Sequence, residues 1–388
     1  MNMMPRQPDD IAARVLVEVT TDAAQVAEQW AALEPFGTVF QTRAWLLPWY
    51  RLIAPGFGAS ALFVSVIERS THRPLMLLPL CRRRRHGVVT IEFPDLEVSD
   101  YNSPLQAPDF ILTPEETQQL WTAIRQALPR ADVVRFDKVP QTISGRPNMV
   151  ARLDWLQEMN LRSWTLTLPP TREEYVDRVL RKKDRKEQQR KRKKIEGQDG
   201  KLAFFVATTE SEGREIFQAL CKERRERFGD KNRDDILGDA TYLAFYDAVS
   251  FENWGPHISL AALKAGDKII ATLFAVCNDN CYCLVMHSFD LALASLSPGI
   301  VAIDEAIAYT IDNQFKYFDF TVGNEGYKQQ FGVTEGVLFT GVYPLTMTGK
   351  IYEKARRSAK NCGKFLEGLN RRVRNRNSLP RAEGSTPA

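Results

Sequence analysis

Residues 297–328 read SPGIVAIDEAIAYTIDNQFKYFDFTVGNEGYK, and this stretch carries the clearest fold signal in the chain. Proline and glycine at its start, followed by apolar residues at helical spacing, predict a helix through residue 313. The apolar, aromatic-rich run Tyr317–Val322 follows it and predicts a strand. Because a strand is also expected before the helix, the order strand, helix, strand indicates a crossover unit within an α+β fold.

The start of this helix, at Ser297, Pro298 and Gly299, has two interpretations. Small residues allow an anion such as a pyrophosphate to approach the unpaired N–H groups and the positive end of the helix dipole. Alternatively, Ser297 caps the helix while Pro298 fixes its first turn. The second interpretation is the commoner outcome for such a segment taken alone.

Three ionisable residues follow the helix and are candidates for chemistry. Asp319 lies in an apolar strand, where burial raises a carboxyl pKa toward the range of a general base, or where the carboxylate binds loop amides instead. Tyr327 can return a proton to a leaving thiolate, and Lys328 can pair with a phosphate or a developing oxyanion. Taken singly, a half-buried tyrosine and a surface lysine are the favoured interpretations of Tyr327 and Lys328.

Outward from this stretch, predicted helices and strands alternate along the chain, and the pattern occurs twice. Thr113–Glu116 and Thr171–Glu174 are capping boxes that each begin a helix. The dipeptides Phe136-Asp137 and Phe318-Asp319 each lie on a strand that follows a helix. Predicted helices cover 23–33, 45–53, 114–128, 172–180, 211–228 and 299–313, and predicted strands cover 61–67, 74–81, 133–137, 202–207, 259–264, 269–277, 281–289 and 317–322.

Composition favours a folded, intracellular protein of two domains. The 388 residues exceed the size of an ordinary single core, and 44% are apolar and 26% charged. No uncharged stretch reaches membrane-spanning length, and the first residues lack the apolar segment of a secretion signal. The six cysteines lie in apolar segments, which is typical of reduced thiols. We therefore expect a cytoplasmic location, with peripheral contact to the inner membrane through basic segments.

Cys277, Cys281 and Cys283 form the densest cysteine group, but no fourth ligand has zinc-site spacing, so we predict no metal site. Strand periodicity places His287 on the same face as Cys281 and Cys283, as a pocket histidine or a satisfied core histidine.

Two basic segments dominate the charge pattern. Between Arg181 and Lys194 there are ten basic residues and two acidic ones. This run is either a solvated helix face, a binding surface for an RNA backbone, or a contact for the phosphate of a nucleotide-linked substrate. It has no interleaved aromatic residues for stacking on bases. The second basic segment, 350–376, contains apolar residues and suits an anionic membrane surface.

The order of these motifs resembles the GNAT-like proteins of the CelD type, associated with cellulose and exopolysaccharide biosynthesis and similar in fold to Fem-type peptidyltransferases. The resemblance covers nearly the whole chain. It includes Phe40–Leu46, the pair Asp100 and Tyr101, the basic run Leu180–Lys194, and the Ser-Pro-Gly, Phe-Asp-Phe and Tyr-Lys motifs described above. Where the common GNAT pyrophosphate loop has a basic residue and a glycine, Ala294 and Ser297 stand here.

The resemblance implies an acyltransferase that uses acetyl-CoA or another acyl-CoA, without a metal, and acylates an amine or hydroxyl of a sugar or polysaccharide precursor. By the same match, Lys328 is the leading catalytic residue, the cofactor contacts are Ser297, Pro298 and Gly299, and Asp100 and Tyr101 are substrate contacts. The residue arguments above add Tyr327 and Asp319 to the catalytic candidates and His287 to the substrate contacts. Alternatives are a Fem-like transferase dependent on aminoacyl-tRNA and a non-catalytic partner of a polysaccharide synthase.

We therefore predict an α+β fold with two tandem GNAT-like units and mixed, mostly antiparallel sheets. The expected division is a disordered N-terminus over 1–12, an N-terminal unit over 13–165, an acyltransferase unit over 166–350, and a basic helix with a disordered tail over 351–388. Pro169-Pro170 lies next to the predicted border between the units.

Overall fold

The structure is a computed structural model that describes residues 11–229 and 235–358. The helices are α1 Ile11–Arg14, α2 Ala27–Leu33, α3 Arg43–Pro48, α4 Pro114–Ala127, α5 Arg172–Glu174, α6 Lys182–Asp199, α7 Glu210–Gly229, α8 Ala240–Phe251 and α9 Pro298–Asp312. Residues 347–358 are also helical. The expected disorder over most of 1–12 and in the tail beyond 358 falls on residues outside the described part.

The main strands are β1 Val15–Thr20, β2 Ala59–Glu68, β3 Pro74–Arg85, β4 Val88–Glu92, β5 Val133–Pro140, β6 Gln157–Thr167, β7 Leu202–Val206, β8 Ile258–Ala265, β9 Lys268–Cys277, β10 Cys281–Phe289, β11 Tyr317–Val322 and β12 Thr334–Pro344. They belong to one sheet in the order β1-β2-β3-β4-β5-β12-β6-β11-β10-β9-β8-β7. The short strand Leu105–Gln106 adds to β3.

From each end of the sheet, five strands follow in chain order toward the centre, β1 to β5 from one end and β7 to β11 from the other. The two halves of the sheet are therefore related units. Each unit has four antiparallel strands, then a helix, then a strand parallel to the fourth: β4 pairs with β5 across α4, and β10 pairs with β11 across α9. The other pairings in the sheet are antiparallel. The predicted α+β class with two tandem units is confirmed, although both units share one continuous sheet.

The last strand of each unit pairs with the other unit. β6, the sixth strand of the first unit, pairs with β11 of the second, and β12 pairs with β5 of the first. β6 and β12 also pair with each other at the centre of the sheet. The predicted border near residue 165 falls inside β6, and the division into domains stays a prediction.

Two hydrophobic clusters position the site on the second unit. On one face of its strands, α9 packs against Leu284, Phe318 and Phe320. On the opposite face, α7 and α8 pack against Phe274 and Met286 in a cluster that extends through the first unit. The sheet of the second unit is therefore covered on both sides, and ligands must enter along its edges or between the units. In the described part of the chain, no helix is both long enough and apolar enough to span a bilayer.

Candidate functional site

The parallel strands β10 and β11 separate after three paired positions. The pairs are Cys281 with Tyr317, Tyr282 with Phe318, and Cys283 with Asp319. Beyond the last pair both strands continue, and a hydroxyl contact of 3.4 Å from Thr321 to the Leu284 carbonyl bridges them. The resulting gap opens toward the start of α9, so the Ser-Pro-Gly and Phe-Asp-Phe motifs flank one opening.

A bulge in β10 lies within this gap. The pairing of β9 with β10 shifts register between Phe274 and Ala275, which leaves Val285 as an extra residue. A bulge turns the following side chains to the other face of the sheet. His287 consequently lies against Tyr327 and Gly299 on the α9 side, whereas Cys283 belongs to the cluster on the α7 side. The prediction that His287 shares a face with Cys281 and Cys283 was wrong, because simple alternation does not continue through a bulge.

Residues 93–104 of the first unit extend into the second unit and reach Asp319. The Tyr101 hydroxyl donates to Asp319 Oδ1 at 2.7 Å, across 218 residues of sequence. The backbone N–H of Thr321 also donates to Oδ1, at 2.6 Å, and the Thr165 hydroxyl donates to Oδ2 at 3.3 Å. Asp319 is 8% exposed, and burial raises its pKa while these hydrogen bonds oppose the rise. Both predicted roles of Asp319, a buried acid and an acceptor of amide hydrogen bonds, thus occur together.

Asp100 directly precedes Tyr101 in the sequence, and its side chain lines a cavity. Burial raises its pKa to about 6, against the opposing effects of the Lys138 charge, a hydrogen bond with Thr321 and the Lys328 charge. An acid with a pKa near 6 is ionised at neutral pH and still basic enough to accept a proton. Asp100 therefore has the protonation behaviour expected of a general base.

The cavity that Asp100 lines lies between the units and has a volume of about 960 Å³. The bulge residue Val285, the neighbouring Met286 and the ion-paired Arg224 and Asp235 also line it. Tyr242 closes one side, where its hydroxyl donates to the Leu96 carbonyl at 3.0 Å. This volume falls in the range of small-molecule sites. The cavity therefore has room for a substrate that reaches both Asp100 and the bulge.

Lys328, Tyr327 and His287 meet on the other side of the gap. The Lys328 ammonium donates to the Val322 carbonyl at 2.9 Å and pairs with Glu325 at 3.0 Å, and the residue is only 3% exposed. The Tyr327 and His287 rings make an edge contact with centroids 5.6 Å apart. Lys328 is thus a buried, paired cation, which differs from the surface lysine that is typical of this residue type.

Burial sets the protonation states of these two rings. It lowers the pKa of His287 to about 3, with the charges of Arg227, Arg224 and Lys328 adding to the effect, so the imidazole is neutral at pH 7. Burial also raises the pKa of Tyr327, so its phenol stays protonated. The two rings therefore offer neutral hydrogen-bonding groups.

The start of α9 has no side-chain cap from its N-cap residue. Ser297 adopts a left-handed conformation with φ 55°, and its side chain makes no capping hydrogen bond, so the capping interpretation was wrong. The first turn contains no acidic residue. A Cβ on Gly299 would come within 3.1 Å of the Phe289 ring, so a larger residue there would require that ring to shift by a few tenths of an ångström. The anion-binding interpretation of Ser297, Pro298 and Gly299 stays a prediction.

Sequence reasoning missed two residues at this site. Arg227 of α7 places its guanidinium 5.0 Å from the Phe289 ring centroid, and its charge reaches His287 and Tyr327. It supplies a cation near the helix start, where the segment 294–299 has none. Thr321 has φ 57°, which is strained for a β-branched residue. Neither feature has a local sequence signal, since one depends on tertiary packing and the other on backbone geometry.

Residues 182–329, which lie in the second unit, match the family model of the acetyltransferase (GNAT) domain. The sequence matches no curated protein.

Several solved structures are similar in fold. FemX has 10% identity and a TM-score of 0.57, with 83% of this chain and 96% of FemX covered. The C-terminal domain of a putative lysylphosphatidylglycerol synthetase from Agrobacterium fabrum has 10% identity and a TM-score of 0.50, covering 83% and 92%. A conserved protein of unknown function from Bacteroides thetaiotaomicron has 14% identity and a TM-score of 0.50, covering 84% and 100%. At these identities the similarity establishes the fold alone.

Proposed function

We propose that this chain is a GNAT-type acyltransferase that transfers an acyl group, acetyl from acetyl-CoA in the simplest case, to an amine or hydroxyl of a sugar or polysaccharide precursor. The observation that carries the proposal is the gap between β10 and β11. On its β10 side, His287 lies next to Gly299 at the start of α9, and Val285 lines the cavity at Asp100. An anionic donor suits the helix start, and a neutral or cationic acceptor suits the cavity. The resemblance to CelD-like proteins supports the saccharide acceptor and a location in the cytoplasm at the inner membrane.

In the proposed reaction, the acceptor amine lies in the cavity and attacks the thioester carbonyl carbon directly. Asp100 accepts the proton that the amine loses as the new C–N bond forms. The oxyanion of the tetrahedral intermediate forms beside the bulge at Val285 and the Lys328 ammonium. The C–S bond then breaks, and the protonated Tyr327 phenol donates a hydrogen bond to the leaving thiolate, which solvent protonates.

Calorimetry with acetyl-CoA and CoA tests the donor. We expect both to bind the full chain, and we expect Ser297→Asp to weaken binding by about two- to fivefold, because one carboxylate at a helix start changes the dipole interaction by about 0.3–1 kcal/mol. Ser297→Ala is the matched control and should leave the affinity unchanged, since the native hydroxyl makes no cap. If neither donor binds, the acyl-CoA proposal is wrong, and the accessory-protein interpretation takes its place unless an aminoacyl-tRNA binds.

The lysine face of α6 favours a second candidate, a Fem-like transferase dependent on aminoacyl-tRNA. This face consists of five lysines that form no ion pair with the described carboxylates: Lys182, Lys183, Lys186, Lys193 and Lys194. Of these, Lys194 acts on Glu187 only as a more distant charge, which helps to lower the pKa of that carboxyl. Helical geometry places all five within about a third of the circumference of α6. Gln188 and Ile195 of the opposite face are buried. An exposed face of unpaired lysines without aromatic residues suits a phosphate backbone.

Filter binding of tRNA at several salt concentrations tests this candidate. A variant with Lys182, Lys186 and Lys193 changed to Gln should bind more weakly and show a salt slope smaller by about 0.7–0.9 per lost contact. A variant with Lys222, Lys316 and Lys350 changed to Gln has the same charge and serves as control. Equal loss in both variants would indicate attraction to net charge, and the tRNA candidate would then be rejected.

A further inference from the structure

Two cysteines and an aspartate converge where β10 and β11 are last paired. Cys281 and Cys283 are two residues apart on β10, so both side chains project from one face, and their Sγ atoms are 3.5 Å apart. The register places Asp319 of β11 directly beside Cys283. One ligand atom from each of the three residues lies within 4.8 Å of the other two.

This cluster faces a second cavity, distinct from the one that Asp100 lines. The cavity has a volume of about 430 Å³, and Cys281, Cys283, Asp319 and Tyr101 form part of its wall. Cys281 is partly exposed, whereas Cys283 and Asp319 are buried. A small ion can therefore enter from the cavity, and the space beside the three residues has room for a water or another fourth ligand.

The surroundings of Asp319 leave one oxygen available. Oδ1 accepts the short hydrogen bonds from Tyr101 and Thr321, whereas the hydrogen bond of Oδ2 is a single long one, 3.3 Å from Thr165. A carboxylate that is fixed through one oxygen and lightly used at the other is typical of a metal ligand oriented by its outer-shell partners.

We propose that Cys281, Cys283 and Asp319 bind a divalent cation of the zinc class, with the fourth position open to the 430 Å³ cavity. Two thiolates and one carboxylate form a donor set that suits Zn²⁺ or Cd²⁺ and disfavours Mg²⁺ and Ca²⁺, which prefer oxygen ligands alone. The sequence prediction of no metal site considered only the spacing of cysteines, and Asp319 joins them through strand pairing, 36 residues beyond Cys283.

The distances are compatible with tetrahedral binding. Zn–S bonds of about 2.3 Å and Zn–O bonds of about 2.1 Å place the ligand atoms of a tetrahedron roughly 3.5–3.8 Å apart. The two sulfurs are 3.5 Å apart, within about 0.3 Å of the separation of two zinc-bound thiolates, and the remaining ligand distances of up to 4.8 Å require shifts of up to about 1.2 Å, which side-chain rotation supplies. Bound there, the cation links β10 to β11 at the base of their gap, and it does so whether or not the chain uses acyl-CoA.

Metal titration of the reduced, chelator-treated full chain tests the site. We expect one equivalent of Cd²⁺ to produce thiolate-to-metal charge-transfer absorption, and Zn²⁺ to displace it. Cys281→Ser and Cys283→Ser should each lower the Zn²⁺ affinity by at least about 100-fold, since even outer-shell changes cost 10–100-fold. Cys221→Ser is the matched control, because Cys221 is also partly exposed but lies on α7, away from the cluster.

Asp319→Asn separates this site from a binding site made of thiols alone, because it should lower the Zn²⁺ affinity while both sulfurs stay. Thermal unfolding of each variant without metal identifies any variant that has lost its fold. Cd²⁺ absorption that is equal in wild type, Cys281→Ser and Cys283→Ser would overturn the proposal. So would the absence of Cd²⁺ binding to the fully reduced chain. Neither result depends on acyl-CoA binding.

Discussion

The starts of α4 and α9, the equivalent helices of the two units, differ in what occupies their positive ends. α4 begins with a complete capping box, in which Thr113 and Glu116 bond each other's backbone N–H groups, and Glu115 adds a second acid to the first turn. α9 begins at Ser297 with no side-chain cap and no acid in its first turn. The first unit satisfies its helix dipole internally, and the second leaves it available to a ligand.

The gaps beside these helices differ in the same way. In the first unit the chain bonds its own polar groups across the gap, beside a cavity of about 570 Å³: the Asn102 N–H donates to the Lys138 carbonyl at 3.0 Å, and the Lys138 ammonium bonds Asp95 and the Ser99 carbonyl. In the second unit the equivalent gap meets Asp100 and a cavity. The same topology thus serves as a scaffold in the first unit and as a candidate site in the second. The difference arises because function depends on polar groups that are available to a ligand, and not on the fold itself.

The largest effect that we predict concerns acyl transfer, which should depend on the gap of the second unit and not on the gap of the first. Asp100→Asn keeps the shape of the side chain and removes its basicity, so acyl transfer should fall by about 10²–10⁴-fold. Arg84→Gln, an exposed change at the 570 Å³ cavity of the first unit, should leave turnover unchanged. Steady-state kinetics with acetyl-CoA and an amine acceptor measure both. If Arg84→Gln reduced turnover as strongly as Asp100→Asn, the assignment of the reaction to the second gap would be wrong.

A second prediction compares the buried acids of the units. In the first unit, Glu92 pairs with Arg83. In the second, Glu223 accepts a hydrogen bond from Thr272 at 2.5 Å, and among the described residues its Oε1 has no partner. Burial raises the pKa of Glu223 to about 7. The folded protein therefore binds this proton more tightly than the unfolded chain, so the stabilising contribution is present below about pH 4.5 and is lost as the pH rises to 7.

Glu223→Gln should remove that pH-dependent loss. Between pH 4 and pH 8, the free energy of unfolding of the variant should rise relative to wild type by on the order of 3 kcal/mol. Urea unfolding at each pH measures the difference, and Glu226→Gln, an exposed change on the same helix, is the control. A difference between Glu223→Gln and wild type that stays constant across this range would contradict the prediction.

The smallest predicted effect compares how much the first residues of α4 and α9 contribute to the free energy of unfolding. Thr113→Ala removes a working cap and should lower the free energy of unfolding by about 1 kcal/mol. Ser297→Ala removes a hydroxyl that caps nothing, and its effect should be close to zero. Thermal or urea unfolding of both variants makes the comparison. Equal losses would mean that Ser297 caps α9 in solution, which would close the proposed anion site.

Local features of the fold could be predicted from the sequence, and features that depend on distant pairing could not. Thr113 forms the predicted capping box, and Thr171 forms one half of it by accepting from the Glu174 N–H, because each cap depends on residues three positions apart. The strands β6 and β12 gave no clear signal, since the polar run Gln157–Thr167 becomes a strand only between its two partners.

The same limit applies to the candidate site. Asp319 entered the candidate list as an acid in an apolar strand and Asp100 through motif resemblance, and the Tyr101–Asp319 hydrogen bond that joins their segments spans 218 residues. His287 faces the side of the sheet opposite to Cys283 because Val285 is an extra residue in β10, and the alternation of apolar residues does not reveal this bulge. Sequence patterns therefore located eight of the twelve main strands and missed β1, β4, β6 and β12, and only the three-dimensional pairing determined which side chains face each other.

The exchange of last strands has a consequence for the order of events during synthesis. In the native sheet β12 pairs with one edge of β5, and β12 is synthesised about 200 residues after β5. Until then, the edge of β5 is an open template, and β6 is the nearest strand in sequence able to occupy it. A nascent chain that fills this place with β6 must release it before the native sheet can close. We therefore expect slow maturation and a tendency of two chains to exchange these strands, so that refolding yield should fall as protein concentration rises.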